Sequence, residues 1–191
     1  MSHTIGLLLA AGAGSRMGKP KALVSGTDGT PWVVSSVNTL RDGGCDEIMV
    51  VIGAEADEVR TLLAGQDVML VEAANWAEGM SASLRAGLAA IADRDAEAVL
   101  VHLVDLPDVG TNVIGRLLAK SAPTTLARAT YGGRPGHPVL FGREHWAAIA
   151  TETSGDQGAR GYLALQGVVE MDCSDLATGR DVDEASSMLG K

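Results

Sequence analysis

The chain has 191 residues, 46% of them hydrophobic but only 3% aromatic, and a formal net charge of −9. This length suits a single domain spanning 1–191, with a core built mostly of Ala, Val, Leu and Ile. The negative balance argues against nucleic acid held on a general basic surface. No run approaches the roughly 18 to 20 uninterrupted apolar residues that a membrane span needs. Met1-Ser2-His3-Thr4 has no basic stretch, so no secretory leader is expected. Cys45 and Cys173 have neither disulfide-framework nor metal spacing and read as small buried hydrophobes, with a reducing cytoplasm as the expected compartment.

In chain order, strand-like and helix-like segments alternate. Ile5 to Leu9 is an apolar run ended by glycines, which suits a buried strand. Pro31 to Arg41 predicts a helix with Pro31 in its first turn and Val33, Val34, Val37 and Leu40 on one face. Glu47 to Ile52 reads as a strand, Ala56 to Leu63 as a helix and Val68 to Val71 as a short strand. Met80 to Ala92 is amphipathic at helical spacing, Ala98 to Val104 is an apolar central strand, and Thr111 to Ala119 is a helix. Thr125 to Tyr131 and His137 to Phe141 flank a glycine-rich turn and predict a hairpin. Helices over Gly142 to Ile149 and Gly158 to Leu165, then a strand over Val168 to Cys173, complete the pattern. The reading is an α/β fold: a three-layer, mostly parallel sheet with helices on both faces and an antiparallel hairpin excursion.

The turn after the first strand carries the chemistry. Gly12, Gly14 and Gly18 allow close backbone approach, so several N–H groups can converge on one anion. Arg16, Lys19 and Lys21 run against the acidic background and would neutralise an oxyanion-rich ligand, of which a di- or triphosphate is the natural example. Met17 occupies the place of the third glycine in G-x-G-x-x-G, and no Lys-Ser or Lys-Thr pair follows the glycines. Neither the dinucleotide fingerprint nor the common phosphate loop therefore applies. Ligands of open α/β sheets sit at the strands' carboxyl ends. Asp105, directly after the central strand, is thus a candidate magnesium ligand, or else a capping residue for the Leu106-Pro107 turn.

The string Leu9-Ala10-Ala11-Gly12-x-Gly14-Ser15-Arg16-Met17-Gly18-x-Pro20-Lys21 resembles the signature of the glycosyltransferase-A-like nucleotidyltransferases, which implies a three-layer Rossmann-like sheet. Glu78 to Leu88, Leu103 to Pro107, Gly136 to Arg143 and Gly155 to Arg160 resemble the molybdenum cofactor cytidylyltransferase branch of that family. The resemblance runs from about residue 5 to about residue 185. It implies transfer of CMP from CTP to the phosphate of molybdopterin, release of pyrophosphate, and Mg2+ as cofactor. The implied partners are these small molecules, with possible hand-over to a molybdoenzyme.

By the same resemblance, Leu9, Ala10, Ala11, Gly12, Ala13, Gly14, Ser15, Arg16, Lys21, Ala73, Ser81 and Asp105 would form the nucleotide site. Arg16, Lys21 and Asp105 would carry catalysis, and Asp105 with Asp183 the metal, Asp181 being the near competitor of Asp183. Arg85, Arg134, His137, Asp156 and Arg160 would face the acceptor. Residue-level alternatives stand beside several of these. Ser81 also suits a helix N-cap, Asp156 and Arg160 also suit a mutual pair, His102 suits a packed core histidine, and Trp76 and Trp146 suit core or rim positions. Two departures are visible: Leu106 stands where many members have Gln, and Glu184-Ala185 replace a Thr-Pro pair after Asp183. GTP as donor, another phosphorylated acceptor, or a non-catalytic cofactor chaperone are the competing readings.

Overall fold

The computed structural model describes residues 3–15 and 17–182. Arg16 and Asp183, both singled out above, lie outside the described residues. Seven strands form one sheet in the order β3-β2-β1-β4-β6-β5-β7. They are β1 (Thr4–Leu9), β2 (Glu47–Ile52), β3 (Met69–Glu72), β4 (Ala98–Leu103), β5 (Leu126–Tyr131), β6 (Arg134–Gly142) and β7 (Val169–Asp172). The helices are α1 (Trp32–Asp42), α2 (Ala56–Leu62), α3 (Met80–Ile91), α4 (Thr111–Leu118), α5 (Trp146–Glu152) and α6 (Arg160–Ala164).

Strands β1, β2, β3 and β4 pair in parallel, as do β5 and β7, while β6 runs antiparallel to both β4 and β5. The hairpin excursion is thus built into the middle of the sheet. Its turn is shorter than the sequence suggests: β6 starts at Arg134, leaving only Gly132 and Gly133 between the strands. Both glycines have positive φ, 57° and 73°, which suits a two-residue connection whose twist matches the strands. The segment after β6 begins as a 3-10 turn over Arg143–His145 before α5 takes over.

Alternation along the strands divides the core between two faces. Leu8, Val50, Ala98 and Leu100 pack toward Val33 and Val37 of α1 and Val113 and Leu117 of α4. Leu7, Val51, Val99 and Val101 pack toward Leu84 and Leu88 of α3, Ile149 of α5 and Leu163 of α6. Burying each such side chain contributes about 1.5–3 kcal/mol. Gly87 lets α3 lie close to the sheet, because a Cβ there would come within 2.7 Å of Leu7 Cδ2. Cys45 and Cys173 are buried free thiols. No helix among the described residues is long and apolar enough to cross a membrane.

The chain leaves β1 toward β2 and β3, then returns to place β4 on β1's other side. The crevice at such a reversal, outside the carboxyl ends of the strands, is where open α/β sheets bind ligands. It lies here between the loop after β1 and the residues after β4.

His102 of β4 is 1% exposed. Burial, with a smaller push from His137, lowers its pKa to about 3. The unfolded chain binds its proton near the ordinary value of about 6.5. Stability from this group is therefore complete above pH 6.5 and is lost as pH falls toward 3, by up to about 1.4 kcal/mol per pH unit. Urea unfolding at pH 7.5 and pH 5 should show about 2 kcal/mol more loss in the wild type than in His102→Gln. Equal losses would contradict a neutral buried imidazole.

Candidate functional site

The loop after β1 is anchored and open at once. Ala10 N–H donates to Val51 O at 2.9 Å and Ala54 N–H to Ala11 O at 3.0 Å, tying the loop's start to the end of β2. Met17 N–H donates to Gly14 O at 2.8 Å and closes the turn. Gly14 has φ 59°, and a Cβ on it would lie 2.1 Å from Lys19 O, so this tight return needs glycine. Among the described residues, none of the N–H groups of Gly12, Ala13, Gly14 and Ser15 has an acceptor. That run of open donors suits an anion.

A cleft of about 420 Å³ opens beside this loop. Leu9, Ala11, Gly12, Ala13, Gly14, Ser15, Lys21 and Asp105, all expected at the nucleotide site, line it. Trp76, Gly79, Met80 and Ser83 complete the wall opposite. Trp76 is held there because Gly53 lets its ring approach: a Cβ on Gly53 would meet the indole at 2.6 Å. Gly79, with φ 114°, begins α3 and leaves room for Asp156, whose Oδ1 would otherwise lie 2.3 Å from a Cβ.

A second cleft of about 310 Å³ shares Met80, Leu103, Asp105 and Asp156 with the first. Its floor is apolar, with Val101, Val139, Phe141 and Leu163, and its rim carries Arg128, His137, Arg160 and Asp181. Burial and the neighbouring Arg160 charge lower His137 to a pKa of about 4, so its ring is neutral at physiological pH. Arg128 gives Nη2 to Glu170 at 2.6 Å, while its Nε is buried without a partner.

Asp105 stands where the two clefts meet. Its Oδ2 accepts from Lys21 Nζ at 2.7 Å, in a pair whose side chains are 18% and 16% exposed. Its Oδ1 is buried and has no hydrogen-bond partner. A buried carboxylate oxygen left open in this way fits a divalent cation, which takes hard oxygen ligands. Asp181 is brought to the same cleft because Val182 N–H donates to Asp105 O at 3.0 Å and Thr178 N–H to Asp108 Oδ2 at 2.7 Å. Asp181 lines the second cleft with Asp105, Asp156 lines both clefts, and the described residues hold no cluster of three or more metal-ligating side chains.

Other expected residues fall elsewhere. Ala10 and Ala73 are buried and are not among the residues lining the first cleft. Ser81 is fully buried in the first turn of α3, its Oγ is unpartnered, and the cap position belongs to Gly79, so it neither lines the cleft nor caps the helix. Ser83 lines the cleft in its place. Arg85 gives Nη1 to Thr153 O at 2.8 Å and lies 3.7 Å from Glu78, which ties α3 to the end of α5. Arg134 is exposed at the start of β6, next to Pro135 and Gly136, which line the second cleft. Asp156 and Arg160 both line the second cleft.

Sequence reasoning missed Arg128 and Ser83, and read Trp76 as core or rim where it forms cleft wall. A lone arginine inside Leu126–Tyr131, an otherwise apolar and hydroxyl-bearing strand, was the available signal for Arg128.

Comparison with known proteins places this architecture among enzymes that transfer nucleotidyl groups. More particularly, the chain belongs to the MobA-like NTP transferase family, whose domain model matches residues 6–171. It is 37% identical over 193 residues to nicotine blue oxidoreductase of Paenarthrobacter nicotinovorans, covering 96% of this chain and 93% of that protein. It is 25% identical over 138 residues to the molybdenum cofactor cytidylyltransferase of Escherichia coli, covering 72% of this chain and 69% of that protein. Among solved structures, Rv0371c of Mycobacterium tuberculosis superposes with a TM-score of 0.83 at 26% identity, over 97% of this chain and 95% of that one. Rv0371c has also been solved in complex with manganese; that structure gives a TM-score of 0.75 at 25% identity, over 90% and 88% of the two chains.

Lys21→Met should lower stability by about 1–3 kcal/mol in urea unfolding, because it strips the partner from a mostly buried carboxylate. Unchanged stability would mean that the Lys21–Asp105 contact holds nothing together.

Proposed function

We propose that this enzyme transfers CMP from CTP to the phosphate of molybdopterin, with Mg2+ or Mn2+, and releases pyrophosphate. The observation that carries the proposal is Asp105, whose open Oδ1 sits at the junction of a phosphate-type cleft and a second, partly apolar cleft. Two substrates bound in adjoining clefts would react at their common wall. The first cleft receives the nucleoside triphosphate, with its phosphates against the N–H groups of Gly12 to Ser15. Lys21, and Arg16 by its place in the motif, neutralise the outer phosphates. Ala11 lines this cleft, and with the base beside it, its methyl group would crowd a purine more than a pyrimidine.

The second cleft receives the acceptor. Its apolar floor suits the flat face of a fused heterocycle, and Arg128 and Arg160 suit an attached phosphate. An acceptor phosphate oxygen attacks the α-phosphorus, the bond from that phosphorus to the bridging α–β oxygen breaks, and pyrophosphate leaves with the bond's electron pair. The acceptor phosphate is already mostly dianionic near pH 7, so the site needs no general base. What the chain supplies is alignment and relief of anion–anion repulsion. Asp105, with Asp181 or Asp183, would hold the divalent ion, which when bound offsets the charge of the reacting phosphates. The manganese complex of Rv0371c and the cytidylyltransferase of Escherichia coli support this reading.

A second reading follows from nicotine blue oxidoreductase, to which the identity is higher and the coverage greater. In that reading the second cleft holds a heterocyclic redox substrate, and the first holds a nucleotide-containing reductant.

One assay separates the two. Metal-dependent pyrophosphate release is measured with CTP, GTP, ATP and UTP in the presence of molybdenum-loaded pterin cofactor. Release with CTP and acceptor alone is expected, and Asp105→Ala should lower it by at least two orders of magnitude. No release with any triphosphate, together with substrate-dependent oxidation of a reduced nicotinamide cofactor, would overturn the proposal in favour of the second reading.

A further inference from the structure

Behind the sheet, on the side of α1 and α4, lies another cavity of about 380 Å³. Its position follows from strand alternation. Val101, Leu103 and Asp105 line one or both clefts, whereas His102 lines this cavity alone and Val104 and Leu106 each reach both sides. The remaining wall comes from α1, with Trp32, Ser36 and Thr39, and from the turn at Asp28. The volume falls within the range of small-molecule sites.

His102 is the informative group. Its imidazole lines the cavity, is 1% exposed, and has an Nδ1 with no hydrogen-bond partner. A buried polar atom left this way costs about 1–3 kcal/mol unless something satisfies it. The charge around it narrows the occupant. Asp28 is the ionised side chain on the cavity wall, and its carboxylate already accepts from Thr30 N–H and Oγ1. With no cation among the lining residues, phosphates and carboxylates are disfavoured. Trp32 and Val109 supply apolar wall, and Ser35, Ser36 and Thr39 supply hydroxyls.

We propose that this cavity is a second binding site, distinct from the two clefts, for an uncharged planar nitrogen heterocycle that hydrogen-bonds to His102. The inference is independent of which reaction the clefts perform. Its location makes it an effector site: Val104 and Leu106 flank Asp105 in the chain. Val182, also on the cavity wall, donates its N–H to the Asp105 carbonyl. A ligand that shifts these residues shifts the carboxylate between the clefts.

The test titrates benzimidazole into the full ¹⁵N-labelled chain and follows the imidazole resonances by NMR. The chain has four histidines, so His102 is assigned by the peak missing from His102→Gln. A saturable shift of the His102 ring and of the Asp105 amide is expected. Affinity should fall at least tenfold in Ser35→Phe, where a ring grown from a half-exposed α1 position fills the cavity. Thr39→Phe serves the same purpose if the melting curve shows that Ser35→Phe is unfolded. No saturable His102 shift, or undiminished binding in the folded filled variant, overturns the site. A His102 shift with a stationary Asp105 amide overturns the coupling.

Discussion

The Lys21–Asp105 ion pair, 2.7 Å long and mostly buried, joins the two segments that diverge at the sheet's reversal point. One partner belongs to the 3-10 turn that follows the glycine loop, the other to the tip of the central strand. Parallel pairing of β1 with β4 fixes the height of each strand end, with Leu9 opposite Leu103. The loop and the carboxylate therefore emerge side by side. The acidic net charge sharpens the effect, since a local cation among many anions makes a steep local field. The same pair leaves one carboxylate oxygen buried and open, an unstable arrangement for a resting protein and a favourable one for capturing a cation.

Two clefts share a wall at this carboxylate. The first is lined largely by backbone and small side chains, which suits a ligand recognised by its phosphates. The second pairs an apolar floor with arginines at its rim, which suits a flat ring system that ends in a charge. Neither cleft is specific alone. The family to which the chain belongs supplies the reaction class, while the higher identity to an oxidoreductase shows that the same scaffold carries proteins named for different chemistry.

Much of this was legible in the sequence where the signal is local. Strand β2 has the predicted bounds, Glu47 to Ile52, because an unbroken apolar run there ends at Gly53. The glycine loop was legible for the same reason: its anchoring bonds and its return at Gly14 are made within or next to the motif. The hairpin turn was read three residues too long because Arg134, Pro135 and Gly136 look like turn residues. In the fold, Tyr131 pairs with Arg134 and Thr130 with Pro135, so the ladder runs through them. The facing wall of the clefts was less legible because it is assembled by tertiary approach. Trp76 reaches the cleft only because Gly53, distant in sequence, lacks a side chain. Ser81 and Ser83 are indistinguishable by type, and which one lines the cleft depends on how α3 is rolled against β1 and β2. Arg85 is drawn away by a carbonyl at the end of α5, a partner no local pattern announces.

Manganese titration of the protein with CTP, followed by electron paramagnetic resonance, would decide whether Asp105 anchors a cation between the clefts. The account predicts a protein-bound manganese signal in the wild type that requires CTP for full strength and is lost in a folded Asp105→Asn variant. Equal manganese binding by the wild type and Asp105→Asn would contradict it, leaving the open oxygen of Asp105 without a role in metal capture.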